Sequence, residues 1–167
     1  LTLALPVAAA PARAGVTRGD VTAAFQARTT GGYVNMLKGH TVAAPVRGLV
    51  DGRISSFADG TYCSTDWHYI AVTLLGQSGH AAAVAYLRQT AVSFALDGAA
   101  VSPLMQTAIK PFVGTGIKGQ WGISRGALIA PGRLSDGDHS LDTTIVTPDG
   151  GTETLSVTFS LLPEACS

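Results

Sequence analysis

Near its end the chain alternates almost without exception: Leu155, Val157, Phe159 and Leu161 are interleaved with Thr154, Ser156, Thr158 and Ser160. A period of two places every apolar side chain on one face, which specifies a half-buried β-strand and rules out an amphipathic helix. Before it, Pro148-Asp149-Gly150-Gly151 is turn chemistry, and His139 to Thr147 is rich in threonine and β-branched residues. The pair therefore reads as an antiparallel hairpin. A second hairpin is signalled by Val92 to Leu96, the Asp97-Gly98 turn and Ala99 to Val101, followed by a strand-like Thr107 to Ile109. Further short strands are expected at Gln120 to Ser124 and at Ala127 to Ala130, the latter ended by Pro131-Gly132. Trp67 to Leu75 is a nearly continuous apolar run, as a strand buried on both faces requires.

One short helix is expected near residues 78–89, capped by Ser78 and rich in alanine, with Val84 and Leu87 on one face. Asp20 to Arg28 fits a helix with Asp20 as N-cap equally with a strand in which Val21, Ala23, Phe25 and Ala27 alternate. From Thr29 to Thr65 the glycine spacing and two Asp-Gly pairs imply short strands and loops. Short strands punctuated by Gly, Pro and Asp-Gly give the fold class: mainly β, an antiparallel β-sandwich.

Compartment is read from residues 1–14. An apolar run from Leu1 to Ala10, too short to span a bilayer, leads into Ala12-Arg13-Ala14, the small-x-small pattern cleaved by signal peptidase, here before Gly15. Residues 1–14 are thus expected to be a signal-peptide remnant, and residues 15–167 a single domain. In an oxidising compartment the two cysteines, Cys63 and Cys166, are expected to form a disulfide in preference to leaving Cys63 as a nucleophile served by His68. No cysteine follows the cleavage site to carry a lipid, and the tail from Leu161 to Ser167 has no hydrophobic anchor. A released, monomeric protein without a membrane span after processing is the expectation. Eleven basic residues offset eleven acidic ones with no like-charge block, so the footprint of a nucleic-acid or anionic-membrane binder is missing.

The run Leu134-Ser135-Asp136-Gly137-Asp138-His139-Ser140-Leu141, followed by an alternating strand, a Pro-Asp-Gly-Gly turn and a closing Val-Thr-Phe-Ser-Leu strand, resembles the C-terminal half of bacterial Ig-like domains. Val92 to Val101 resembles an earlier hairpin of those domains. The resemblance covers about residues 91–162 and leaves 15–90 as an N-terminal elaboration. It implies an Ig-like C-terminal half and a spacer or binding role, without assigning an activity.

Candidate chemistry is sparse. Gly114 to Gly119 matches a Gly-x-Gly-x-x-Gly string, but Gln120-Trp121-Gly122 after it is no helix start, so dinucleotide binding is rejected and no cofactor is expected. Asp66 and His68 would share one face of a strand beginning near Trp67, as a general-base pair or two metal ligands would need. His40, His80 and His139 lie at no metal-ligand spacing from them. Asp136, Asp138 and Asp142 are weak candidates for a hard cation, since Asp and Gly are also the usual turn formers. Neither a Gly-x-Ser-x-Gly elbow nor His-Glu-x-x-His is present. Tyr62, Trp67 and Trp121 are candidates for stacking on a ligand, with Tyr33 and Tyr69 also available, although an aromatic content of 7% leaves few to spare from the core. The expected role is a secreted, non-enzymatic binding or accessory module of the cell envelope or extracellular space, with a glycan or an envelope protein as partner. The alternatives are a secreted hydrolase using Asp66 and His68, or a carbohydrate-binding module.

Overall fold

The nine residues of the apolar run from His68 to Gly76 are all buried, and they form the strand around which the structure is organised. A computed structural model describes residues 15, 17–27, 33–35, 40–42, 46–47, 49–50, 53–54, 61–76, 79–111 and 121–166. In chain order the elements are α1 (Arg18–Ala27), β1 (Tyr33–Asn35), β2 (His40–Val42), β3 (Val46–Arg47), β4 (Leu49–Val50), β5 (Arg53–Ile54), β6 (Thr61–Cys63), β7 (His68–Gly76), α2 (His80–Gln89), β8 (Ala91–Leu96), β9 (Ala99–Ala100), β10 (Met105–Gln106), β11 (Lys110–Pro111), β12 (Trp121–Ile129), β13 (Gly137–Val146), β14 (Thr152–Leu162) and a closing 3-10 turn (Pro163–Cys166).

Among the described residues, one sheet runs β10-β12-β7-β1-β2, with β11 also on β12 and β3 also on β7. The second runs β6-β14-β13-β8-β9, and β4 and β5 form a separate ribbon. The chain is a mainly β sandwich, antiparallel except where β1 joins β7 and β6 joins β14 in parallel. Alternation decides what each face meets. Ile70, Val72 and Leu74 of β7 and Ile123, Ala127 and Ile129 of β12 point into one core with Phe94, Leu96, Leu141, Ile145, Phe159 and Leu161 of the second sheet. Tyr69 and Ala71 point the opposite way and are covered by Val21 of α1, with Trp67, Met105 and Leu128 packed around them. The helix thus supplies a third layer, which is why β7 carries no polar face.

Both hairpins follow the sequence pattern. In β13–β14, Leu141 stands opposite Val157 and His139 opposite Phe159. In β8–β9, Asp97 and Gly98 adopt positive φ, 51° and 77°, as a two-residue turn matched to strand twist requires. Other boundaries differ from expectation. The two strands expected at 120–124 and 127–130 are one, because Arg125 and Gly126 stay in register with Val72 and Ala71 of the long β7. Thr107 to Ile109 is not a strand. It lies between β10 and β11, and the Thr107 hydroxyl accepts the Ser124 backbone N–H at 2.9 Å.

The ambiguous N-terminal segment is helix. Thr17, and not Asp20, is its cap: the Thr17 hydroxyl accepts the Asp20 N–H (3.3 Å), and the Asp20 carboxylate accepts the Thr17 N–H and O–H (2.9 and 2.7 Å). This reciprocal box satisfies donors that a strand would have left to pairing. α2 starts at His80 behind Gly79, which offers no side-chain cap; Ser78 lies outside the described residues. Its buried contacts are Ala83 and Leu87, one helical turn apart, whereas Val84 is only half-buried. The other end of α2 is held by Arg125, whose guanidinium donates to the carbonyls of Thr90 and of Leu87 (2.9 Å to the latter), where the helix dipole favours a cation. Replacing Arg125 by Met keeps the stem and removes these bonds. A loss of about 1–2 kcal/mol is expected, read from urea unfolding at neutral pH.

Candidate ligand-binding cleft

At the end of the sandwich where β12 finishes, the sheets part around a cleft of about 570 Å³. The β8–β9 hairpin forms one wall, the loop from Ser102 to Met105 another, and the last residues of β12 with Arg133 and Leu134 the floor and far side. Arg18 and Trp67 close it at the N-terminal end of α1. The Arg18 guanidinium lies over the Trp67 ring, 5.8 Å from its centroid, an arrangement that fixes a flexible cation at the rim. Arg133 is exposed and supplies a second cation. The one carboxylate among the described lining residues, Asp97, is already engaged. Its Oδ2 faces His139 Nδ1 at 2.7 Å and its Oδ1 accepts the Ser140 N–H at 2.8 Å. The cleft therefore offers two guanidiniums and an indole beside an apolar wall of Leu96, Val101 and Met105.

His139 is buried under this wall, and its Nε2 faces the Ser135 carbonyl at 2.8 Å. Both ring nitrogens face oxygens that accept, an arrangement that the doubly protonated ring satisfies with two donated hydrogen bonds. Burial works against that charge. It is outweighed by the hydrogen bonds to Asp97 and Ser135 and by the charges of Asp97 and Asp138, and the net effect raises the histidine pKa.

The sequence-derived residues are dispersed around this site. Cys63 and Cys166 form the expected disulfide, with Cα atoms 4.4 Å apart. Asp66 precedes β7 in a turn and His68 opens the strand; both are buried, with exposures of 5% and 8%. Burial lowers the His68 pKa, against the Cys63 carbonyl bond and the Asp66 charge. Its Nε2–H donates to that carbonyl at 2.7 Å, while Nδ1 is buried with no hydrogen-bond partner among the described residues. The expected outcome in an imidazole nitrogen NMR titration is a neutral Nε2–H tautomer for His68 at pH values where His139 is already doubly protonated.

Of the stacking candidates whose side chains are described, Trp67 alone lines the cleft. Tyr62 is in the core, edge-on to His68 and Phe159 at 5.6 and 6.3 Å. Tyr69 is fully buried, and Trp121 packs against the core and the His80 ring, with centroids 4.0 Å apart. The side chain of Tyr33 and residues 114–119 lie outside the described residues. Asp138 and Asp142 receive hydrogen bonds from Ser160 and Ser156 across the β13–β14 pair, and Asp136 is exposed in the preceding loop. Among the described residues no three His, Cys, Asp or Glu side chains are grouped to hold a metal ion.

Sequence reasoning missed Arg18, Arg133 and Met105. They are far apart in the chain, and only the meeting of α1, β10 and the end of β12 brings them together. No helix among the described residues is long and apolar enough to cross a membrane. No protein-family model matches the chain, and no curated protein sequence is similar to it.

Proposed function

We propose that the protein is a secreted, non-enzymatic binding module of the cell envelope or extracellular space whose ligand carries carboxylates and sits in the cleft. The observation that carries this reading is the pairing of Arg18 on Trp67 with Arg133 in a cleft of about 570 Å³, within the size range of small-ligand sites. Guanidiniums recognise carboxylates through paired hydrogen bonds, and a cation already seated on an indole forfeits less freedom when it binds. An acidic glycan fits this chemistry: its uronate groups meet the two arginines while the rings lie along the Trp67 edge and the apolar wall. The burial of Asp66 and His68 supports a structural role for both residues, because a hydrolytic pair needs access to substrate. The disulfide suits an oxidising compartment. An Ig-like C-terminal half belongs to the same proposal, supported by the β8–β9 and β13–β14 hairpins sharing one sheet.

The test is calorimetric titration with oligogalacturonate and, in parallel, with a neutral oligosaccharide of equal length. Binding of the acidic oligomer alone is expected, weakened about tenfold or more by Arg133→Ala, a change on an exposed side chain. Equal binding of both oligomers, or an Arg133→Ala protein that binds as the parent does, would overturn the reading.

A further inference from the structure

Gly15 and Asp66 meet at the outer end of α1. A Cβ placed on Gly15 would stand 3.3 Å from Asp66 Oδ1, closer than side chains ordinarily approach, so glycine suits this position. The α-nitrogen of Gly15 is bonded to the same Cα and lies about 2.5 Å from that Cβ position, which places it within roughly 6 Å of the carboxylate. Asp66 is 5% exposed, whereas Gly15 is exposed. Independently, Ala12-Arg13-Ala14 marks Gly15 as the first residue left by signal peptidase. Hydrolysis of the Ala14–Gly15 bond consumes one water and leaves a carboxylate on Ala14 and an α-ammonium on Gly15.

From this geometry we infer that proteolytic maturation creates a structural ion pair: the new α-ammonium of Gly15 docks on the buried Asp66 carboxylate and locks α1 in place. In the unprocessed chain the same nitrogen is a neutral amide. A positive charge placed at a buried carboxylate is stabilising where an amide only shares a hydrogen bond. The effect reaches the cleft through short covalent paths. Gly15 is two residues before the Thr17 cap and three before Arg18, while Asp66 immediately precedes Trp67. Pairing at Gly15 and Asp66 thus clamps both partners of the Arg18–Trp67 contact, so processing finishes one wall of the cleft.

The inference rests on the reading of the protein as exported and processed, and its test separates the two. N-terminal sequencing of the exported protein is expected to begin at Gly15; any other first residue overturns the inference. A chain with a removable leader ending before Gly15 is then melted before and after cleavage. The midpoint is expected to rise by about 5–10 °C on cleavage. Acetylating the freed amine should reverse the rise, and in an Asp66→Asn chain cleavage should change nothing. If Asp66→Asn does not fold, the acetylation comparison on the parent chain decides alone. An unchanged midpoint on cleavage, or on acetylation, would remove the ion pair whatever the cleft binds. Failure to bind oligogalacturonate with the melting shifts intact would remove only the ligand.

Discussion

Replacing Cys63 and Cys166 together by serine is expected to lower the thermal midpoint by about 10–15 °C. The two residues are 103 positions apart, and closing so long a loop removes enough freedom from the unfolded chain to stabilise the fold by about 4–5 kcal/mol in the chain-entropy model. The native side of the balance adds to this. β6 is three residues long and, among the described residues, pairs only with β14, in parallel, with Cys63 opposite Leu162. Cys166 lies in the turn just beyond, so the bridge ties the loose ends of both strands. Thr65 Oγ1 rests 3.2 and 3.4 Å from the two sulfurs, and the Cys63 carbonyl is the acceptor that orients His68. Without the bridge, β6 is expected to fray and expose Tyr62, which fills the core beside Phe159. Calorimetry on the oxidised, the reduced and the doubly substituted protein checks this: the last two should melt together, well below the first. A double-serine protein that melts with the oxidised parent would show that sheet pairing alone holds the C-terminus.

What could be read from the residues follows from how local each determinant is. The β13–β14 and β8–β9 hairpins are legible because a period of two, a short turn and the matching strand lie within twenty-odd consecutive residues, and in β8–β9 the two-residue Asp97-Gly98 turn also fixes register. The disulfide is legible because a chain with two cysteines permits one intramolecular pairing. α1 was not decidable from pattern, since its apolar positions alternate as well as they wind. The deciding term is the reciprocal Thr17–Asp20 cap together with an outer face of β7 that needs Val21 to cover it. The single β12 was hidden by Gly126, which reads as a break unless the long partner β7 is known. The cleft was invisible for the same reason. Trp67 reads as a stacking residue, but nothing near it in sequence indicates that Arg18 will lie on its ring or that Arg133 will line the same cleft. His139 carried the resemblance to Ig-like domains without its charge state being apparent, because that state depends on Asp97, more than forty residues away.

The charge state of His139 has a measurable consequence. The imidazolium links three segments: the β8–β9 turn through Asp97, the loop before β13 through the Ser135 carbonyl, and β14 through the Phe159 ring at 5.5 Å. Asp97 in turn binds both backbone groups of Ser140, so the turn is registered onto β13. Replacing His139 by Ala removes a charged hydrogen-bond pair and leaves a void beside Phe159, and a loss of about 3 kcal/mol is expected at pH about 5.5. Because Asp97 is 43% exposed, solvent screens part of the attraction, and His139→Gln, which keeps a donor and removes the charge, is expected to lose only about 1–2 kcal/mol. The sign of the pH dependence follows from the direction of each shift. The histidine pKa is raised on folding, so its contribution is fully present below 6.5 and disappears as pH climbs through the folded value. The Asp97 pKa is lowered: burial opposes ionisation but is outweighed by the Ser140 N–H and by His139. Its contribution is therefore present above 3.8 and is lost as pH falls through the folded value. His68 runs the other way from His139. Its pKa is lowered by burial, so it costs stability as pH falls below 6.5, and the profile of the parent protein alone mixes the two histidines. The difference between parent and His139→Gln removes the shared His68 contribution. That difference, from urea unfolding at a series of pH values, should be greatest between about pH 4.5 and 6 and shrink steadily toward pH 9. A difference that stays constant or grows with pH would mean that His139 is held neutral, with Ser135 or Asp97 turned away from the ring.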